Sequence, residues 1–154
     1  MADHRTRVLI LGSLPGEASL AKAQYYAHPR NQFWRLVEAA TERPLPEGYE
    51  SRLGHLLEIG VGLWDTIGSA RRRGSLDGAL RDIEANPLAE MVEGLSNLQA
   101  VAFNGLTATR LGRRQLATNP RLSLISLPSS SPAHTLDYEA KLARWREIRR
   151  HLPD

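Results

Sequence analysis

The run Arg7-Val8-Leu9-Ile10-Leu11-Gly12 constrains the fold more than any other stretch. It is apolar without alternation, too short for a core helix, and closed by glycine, the pattern of a strand covered on both faces. Such a strand belongs inside a parallel sheet, whose neighbours need long crossovers that place helices on its two sides. The remaining chain supplies both parts. Val61-Gly62-Leu63-Trp64-Asp65, Leu98 to Phe103 and Leu122 to Leu127 read as further buried strands. Between them, Gln32 to Ala40 and Tyr49 to Ile59 carry apolar residues at helical spacing, the second stopped by Gly60. Leu76 to Glu84 is expected as a short helix, followed by a Pro87-started helix to Glu93, a helix through Leu111, and a last one from Leu136 to His151. The expected class is α/β: a three-layer α/β/α sandwich around a central four-stranded parallel sheet, with residues 1–154 forming a single domain.

The chain has no cysteine, which excludes disulfides, thiolate nucleophiles, iron–sulfur clusters and zinc–thiolate sites and fits a reducing compartment, the cytoplasm. No segment approaches the length of a membrane span, so no membrane partner is expected. Formal net charge is +3, and of 20 basic residues only Lys22 and Lys141 are lysines. Arginine forks match phosphate oxygens and stack on flat rings, so this balance suits a nucleic-acid partner; an arginine-favouring codon bias would leave the same trace. Arg71 to Arg73, Arg110, Arg113 and Arg114 are candidate phosphate contacts or plain solvated surface. Two lysines leave few candidates for Schiff-base chemistry.

Polar chemistry gathers at the strand ends. Gly12-Ser13-Leu14-Pro15-Gly16 opens a loop at the carboxyl end of the first strand, where open α/β sheets bind ligands, yet it matches neither G-x-G-x-x-G nor a P-loop. Asp65 and Asn104 end the next two strands, and Pro128-Ser129-Ser130-Ser131-Pro132-Ala133-His134 follows the last. Tyr25-Tyr26-Ala27-His28-Pro29-Arg30-Asn31-Gln32-Phe33-Trp34 packs aromatics, a basic pair and a carboxamide into one turn-like passage. Pro29 forces His28 out of the helical basin, and Asn31 is placed to cap the helix that follows. One reading is a shared pocket for something flat. A second leaves Asn31 as a cap and the tyrosines as half-buried wall; a third makes the glycine loop a flavodoxin-like site for a small nucleotide.

The pairing of Gly12-Ser13-Leu14-Pro15-Gly16 with Ala27-His28-Pro29-Arg30-Asn31-Gln32-Phe33-Trp34, and a Ser-Pro loop after the last strand, resembles the uracil-DNA glycosylase superfamily. The chain is most similar to the hypoxanthine-DNA glycosylase branch, and next to the mismatch-specific uracil and thymine glycosylases. The resemblance implies a DNA repair enzyme that hydrolyses the N-glycosidic bond of a deaminated base flipped out of DNA, hypoxanthine first, with uracil or a mismatched pyrimidine as the alternative. It implies damaged DNA as partner, no metal, no cofactor, a monomer, and a cytoplasmic place, beside the nucleoid if the source is bacterial. By the same resemblance, Gly12, Ser13, Leu14, Pro15 and Gly16 line the base pocket, Tyr26 stacks on the base, Asp65 reads it, and Asn31 serves hydrolysis. Ser129, Ser130, Ser131, Pro132 and Ala133 then form the loop that enters the minor groove. Two departures stand out: Leu14 replaces an asparagine of the mismatch-specific branch, and the histidine that opens the last loop of the uracil-specific enzymes is absent. A member that binds DNA without catalysis would show the same losses.

Overall fold

The computed structural model describes residues 1–71 and 81–154. Its first strand, β1 (Val8–Gly12), is buried at every position. Three helices follow: α1 (Glu17–Lys22), α2 (Phe33–Thr41) and α3 (Tyr49–Glu58). Next come β2 (Val61–Asp65), β3 (Ile67–Arg71), β4 (Arg81–Ala85) and α4 (Leu88–Glu93). The chain ends with β5 (Ala100–Asn104), α5 (Leu106–Leu116), β6 (Ser123–Leu127) and α6 (Tyr138–Trp145), which tightens into 3-10 turns over Arg146–His151.

The main sheet has four strands in the order β2-β1-β5-β6. All three pairings are parallel, as the unbroken apolar runs require. Alternate side chains of each strand point to opposite faces, and the core divides accordingly. Val8 and Ile10 join Val61, Leu63, Ala100 and Ala102 beneath α2, α3 and α6, where Phe33, Leu36, Leu56 and Trp145 are fully buried. Leu9, Leu11, Val101 and Phe103 face the other way, onto Leu88 and Val92 of α4 and Ala108 and Leu116 of α5. The three-layer α/β/α sandwich is therefore present.

Two local expectations need correction. Leu76 to Glu84 was expected to be helical, but Arg81–Ala85 is a strand paired antiparallel with Ile67–Arg71, while 72–80 lie outside the described residues. Pairing with a partner strand overrides the weak helical propensity of so short a segment. Arg71 is the last residue of β3; Arg72 and Arg73 lie outside the described residues. The loop after β1 also contains a six-residue helix, α1, which is too short to show its period in sequence.

Chain order and sheet order together locate a crevice. From β1 the chain moves to β2 on one side and then to β5 on the other. The carboxyl ends of β1 and β5 thus flank a topological switch point, the usual ligand position in an open parallel sheet.

Candidate active site

A hollow of about 580 Å³ opens at that switch point, within the range of about 300–1,000 Å³ common to small-molecule sites. Gly12 to Gly16, Tyr26, Asn31, Asp65 and Ser129 to Ala133 all line it. Every residue expected in the base pocket, at the hydrolytic position and in the Ser-Pro loop therefore borders one space, whereas Arg110, Arg113 and Arg114 do not line it. Glu17, Ala18, Ser19, Tyr25, His28, Asn104 and His134 complete the wall.

The floor is set by β1 and β2. Gly12 pairs with Asp65 in the parallel register, and the backbone continues the contact through Thr66 N–H to the Gly12 carbonyl at 2.7 Å and Ile67 N–H to that of Ser13 at 2.9 Å. A Cβ on Gly12 would lie 2.9 Å from Asp65 Oδ1 and 3.2 Å from the Tyr26 hydroxyl. Glycine is required here because those two oxygens crowd the space above it. Asn86 holds the Asp65 carbonyl through Nδ2 at 2.8 Å.

Tyr26 occupies the left-handed region at φ 51°, a conformation that costs an L-residue of its size about 1–2 kcal/mol. Its ring lies 3.8 Å from Phe33 at an interplanar angle of 17°, so one aromatic face is already covered. Its hydroxyl is buried and takes no hydrogen bond from or to the described residues. Burial first, and then the Asp65 carboxylate, push the phenol far above its usual range, while the nearby Asn104 acts the other way. It stays protonated.

The turn that carries Asn31 is tied from within. Asn31 N–H donates to the His28 carbonyl at 2.9 Å, and Arg30 N–H donates to His28 Nδ1 at 3.1 Å. Asn31 Oδ1 accepts from Phe33 N–H at 3.0 Å, an Asx turn that satisfies the first N–H of α2; the helix begins one residue later than expected, and its N-cap is Gln32, not Asn31. That bond orients the amide with its oxygen toward the helix start, and the residue lines the hollow. Ser19 Oγ of α1 accepts from Ala27 N–H at 2.9 Å, joining the turn to the glycine loop.

The Ser-Pro loop is pinned from three sides. Asn104 Nδ2 donates to Ser130 Oγ and Asn104 Oδ1 accepts from Ser130 N–H, each at 2.9 Å. Gln32 N–H donates to the Ser130 carbonyl at 2.9 Å, and Trp145 Nε1 donates to that of Pro128 at 2.9 Å. Lys141, 1% exposed, donates to Gln32 Oε1 at 2.9 Å and to the Ser131 carbonyl at 3.3 Å. Ser130 is consequently sealed inside, while Pro132 and Ala133 remain exposed.

The family model described as the uracil DNA glycosylase superfamily matches residues 1–152. The chain belongs to that superfamily. Among its relatives, a protein of Methanosarcina acetivorans named hypoxanthine DNA glycosylase is 36% identical over 97% of this chain and 94% of its own length. Another of the same name, from Methanosarcina barkeri, is 41% identical over 94% of this chain and 91% of its own. A solution NMR structure from Methanosarcina acetivorans, designated a uracil DNA glycosylase, superposes with a TM-score of 0.84 at 36% identity. It spans 97% of this chain and 92% of that one. The expected family and fold thus hold.

Within this superfamily member, sequence reading missed two functional neighbours of the hollow. Asn104 was visible as a polar strand end but not as the clamp on Ser130. Lys141 was legible in principle: Tyr138, Lys141, Leu142 and Trp145 share one helical face, so a lysine stood in an apolar stripe.

Proposed function

We propose that this protein is a hypoxanthine-DNA glycosylase, which takes a deaminated purine out of duplex DNA and hydrolyses its N-glycosidic bond. Membership of the superfamily and the names of the two full-length relatives support the reaction class. The observation that carries the residue assignment is that Asn31 and the Gly12 to Gly16 loop border one hollow. The chain acts as a single domain on damaged DNA in the cytoplasm; no helix among its described residues is long and apolar enough to cross a membrane.

In this reading the base flips into the hollow, at an unstacking cost of a few kcal/mol that is lowest for a pair already weakened by deamination. Bond cleavage sends the glycosidic electron pair onto the base and leaves positive charge on the sugar. Water then adds to C1′ and loses a proton, and the departing base ends protonated. Asn31 orients that water: one lone pair of Oδ1 is taken by Phe33 N–H, the other accepts from water, and Nδ2 donates toward the base or the water itself. Leu14 lines the wall and contributes shape alone. Ser129, Ser131, Pro132 and Ala133 meet the minor groove, with Ser130 holding their loop in place. Lys141 is buried and hydrogen-bonded and Lys22 does not line the hollow, so neither lysine borders the sugar's position, and the product is an abasic site without a strand nick.

The test is direct. Labelled duplexes containing deoxyinosine or deoxyuridine are incubated with the protein and then treated with alkali. The expected result is cleavage of the deoxyinosine strand after alkali only. Preferential cleavage at deoxyuridine would shift the substrate to uracil, and cleavage of neither would remove the enzymatic reading.

A further inference from the structure

An aspartate at the base-reading position poses a chemical problem. A carboxylate accepts the ring N–H of a lactam but has nothing to donate to the neighbouring carbonyl. A donor lies beside that carboxylate. The Tyr26 hydroxyl is buried without a partner among the described residues, and it crowds the same point above Gly12 as Asp65 Oδ1. A buried, unsatisfied hydroxyl is costly to fold around, and so is the left-handed backbone that puts it there. Packing alone does not require that hydroxyl, because the face of the ring is already satisfied by Phe33. Phenylalanine would pack as well.

We propose that Tyr26 and Asp65 together read the lactam edge of the flipped base, Asp65 accepting its ring N–H and the Tyr26 hydroxyl donating to the adjacent carbonyl oxygen. The assignment rests on the glycosylase reading above and names the specificity determinants of that same site. It replaces pure stacking by Tyr26 with an edge contact. Adenine presents the reverse pattern, a ring acceptor beside an exocyclic donor, and its ring acceptor meets a carboxylate that can only accept. Deamination exchanges that pattern for the one the pair accepts, so the chemical change that creates the lesion is the change being read. The phenol's displacement above its ordinary range keeps it a donor at every working pH.

The decisive variant is Tyr26→Phe, which removes one oxygen and nothing else. Expected are a melting temperature at or above the wild type, since an unpartnered hydroxyl is lost, and a fall of roughly tenfold or more in kcat/KM on deoxyinosine duplex. Adding Asp65→Asn to that variant supplies an amide that both accepts and donates, and recovers most of the loss. Tyr26→Phe within twofold of wild type on deoxyinosine overturns the proposal. So does a double variant whose loss is the product of the two single losses. Release of no base by the unmutated chain sinks the glycosylase reading and this assignment with it.

Discussion

Asn31 does two jobs with one amide, and they can be separated. Its Oδ1 holds the first N–H of α2, that of Phe33, and the residue lines the hollow. Asn31→Ala removes both and is expected to lose about 1 kcal/mol of stability together with a fall in base release of about 10²-fold or more. Asn31→Asp keeps the bond to Phe33, because a carboxylate accepts it too, but has no donor and carries charge beside a departing anion. It should melt within about 0.5 kcal/mol of wild type and be as inactive as the alanine variant. Equal activity of wild type and Asn31→Asp would make the residue a brace for the helix start and nothing more, the plainer of the two readings its position in the sequence allowed.

Among the elements, α6 contributes most to the site without touching the hollow. Lys141 is buried with no carboxylate partner among the described residues, held by Gln32 Oε1 and the Ser131 carbonyl. It links the turn bearing Asn31 to the Ser-Pro loop at the cost of desolvating an ammonium. Burial holds that ammonium below its ordinary 10.5. Between the lowered folded value and 10.5 the unfolded chain binds more protons, so this group's contribution to stability rises with pH across that window and is least favourable below it. Tyr25 and Tyr26 act in the opposite sense above pH 10.0: the folded chain keeps protons that the unfolded chain sheds. Comparison with Lys141→Met isolates the lysine. The wild type should gain thermal stability relative to that variant as pH rises from 7 toward 10; a constant difference would mean that the ammonium is solvated.

At the scale of the whole molecule, the sheet was legible because four apolar runs have the length and spacing of buried parallel strands. The β3–β4 ribbon was not, because antiparallel pairing of short polar segments leaves no periodic signature. The pocket was legible through turn chemistry at strand ends, but the clamp of Asn104 on Ser130 and the reach of Lys141 join residues far apart in sequence and declare themselves only in three dimensions. The far side of the Asn31 turn borders a wider groove of about 880 Å³ that carries Arg30, Arg35 and Arg52, where a DNA backbone would run. Binding of undamaged and damaged duplex should weaken alike in Arg30→Ala and Arg35→Ala, each lowering the salt slope of log K by roughly 1; an unchanged slope would place the phosphates elsewhere. Everything at this scale presupposes one reaction, whose product is a free base. Quantifying liberated hypoxanthine against abasic sites formed in a deoxyinosine duplex, with Asn31→Asp as the control, measures it. Equimolar hypoxanthine and abasic sites from the wild type and neither from the variant is the predicted outcome; abasic sites without hypoxanthine, or no product from either protein, would contradict it.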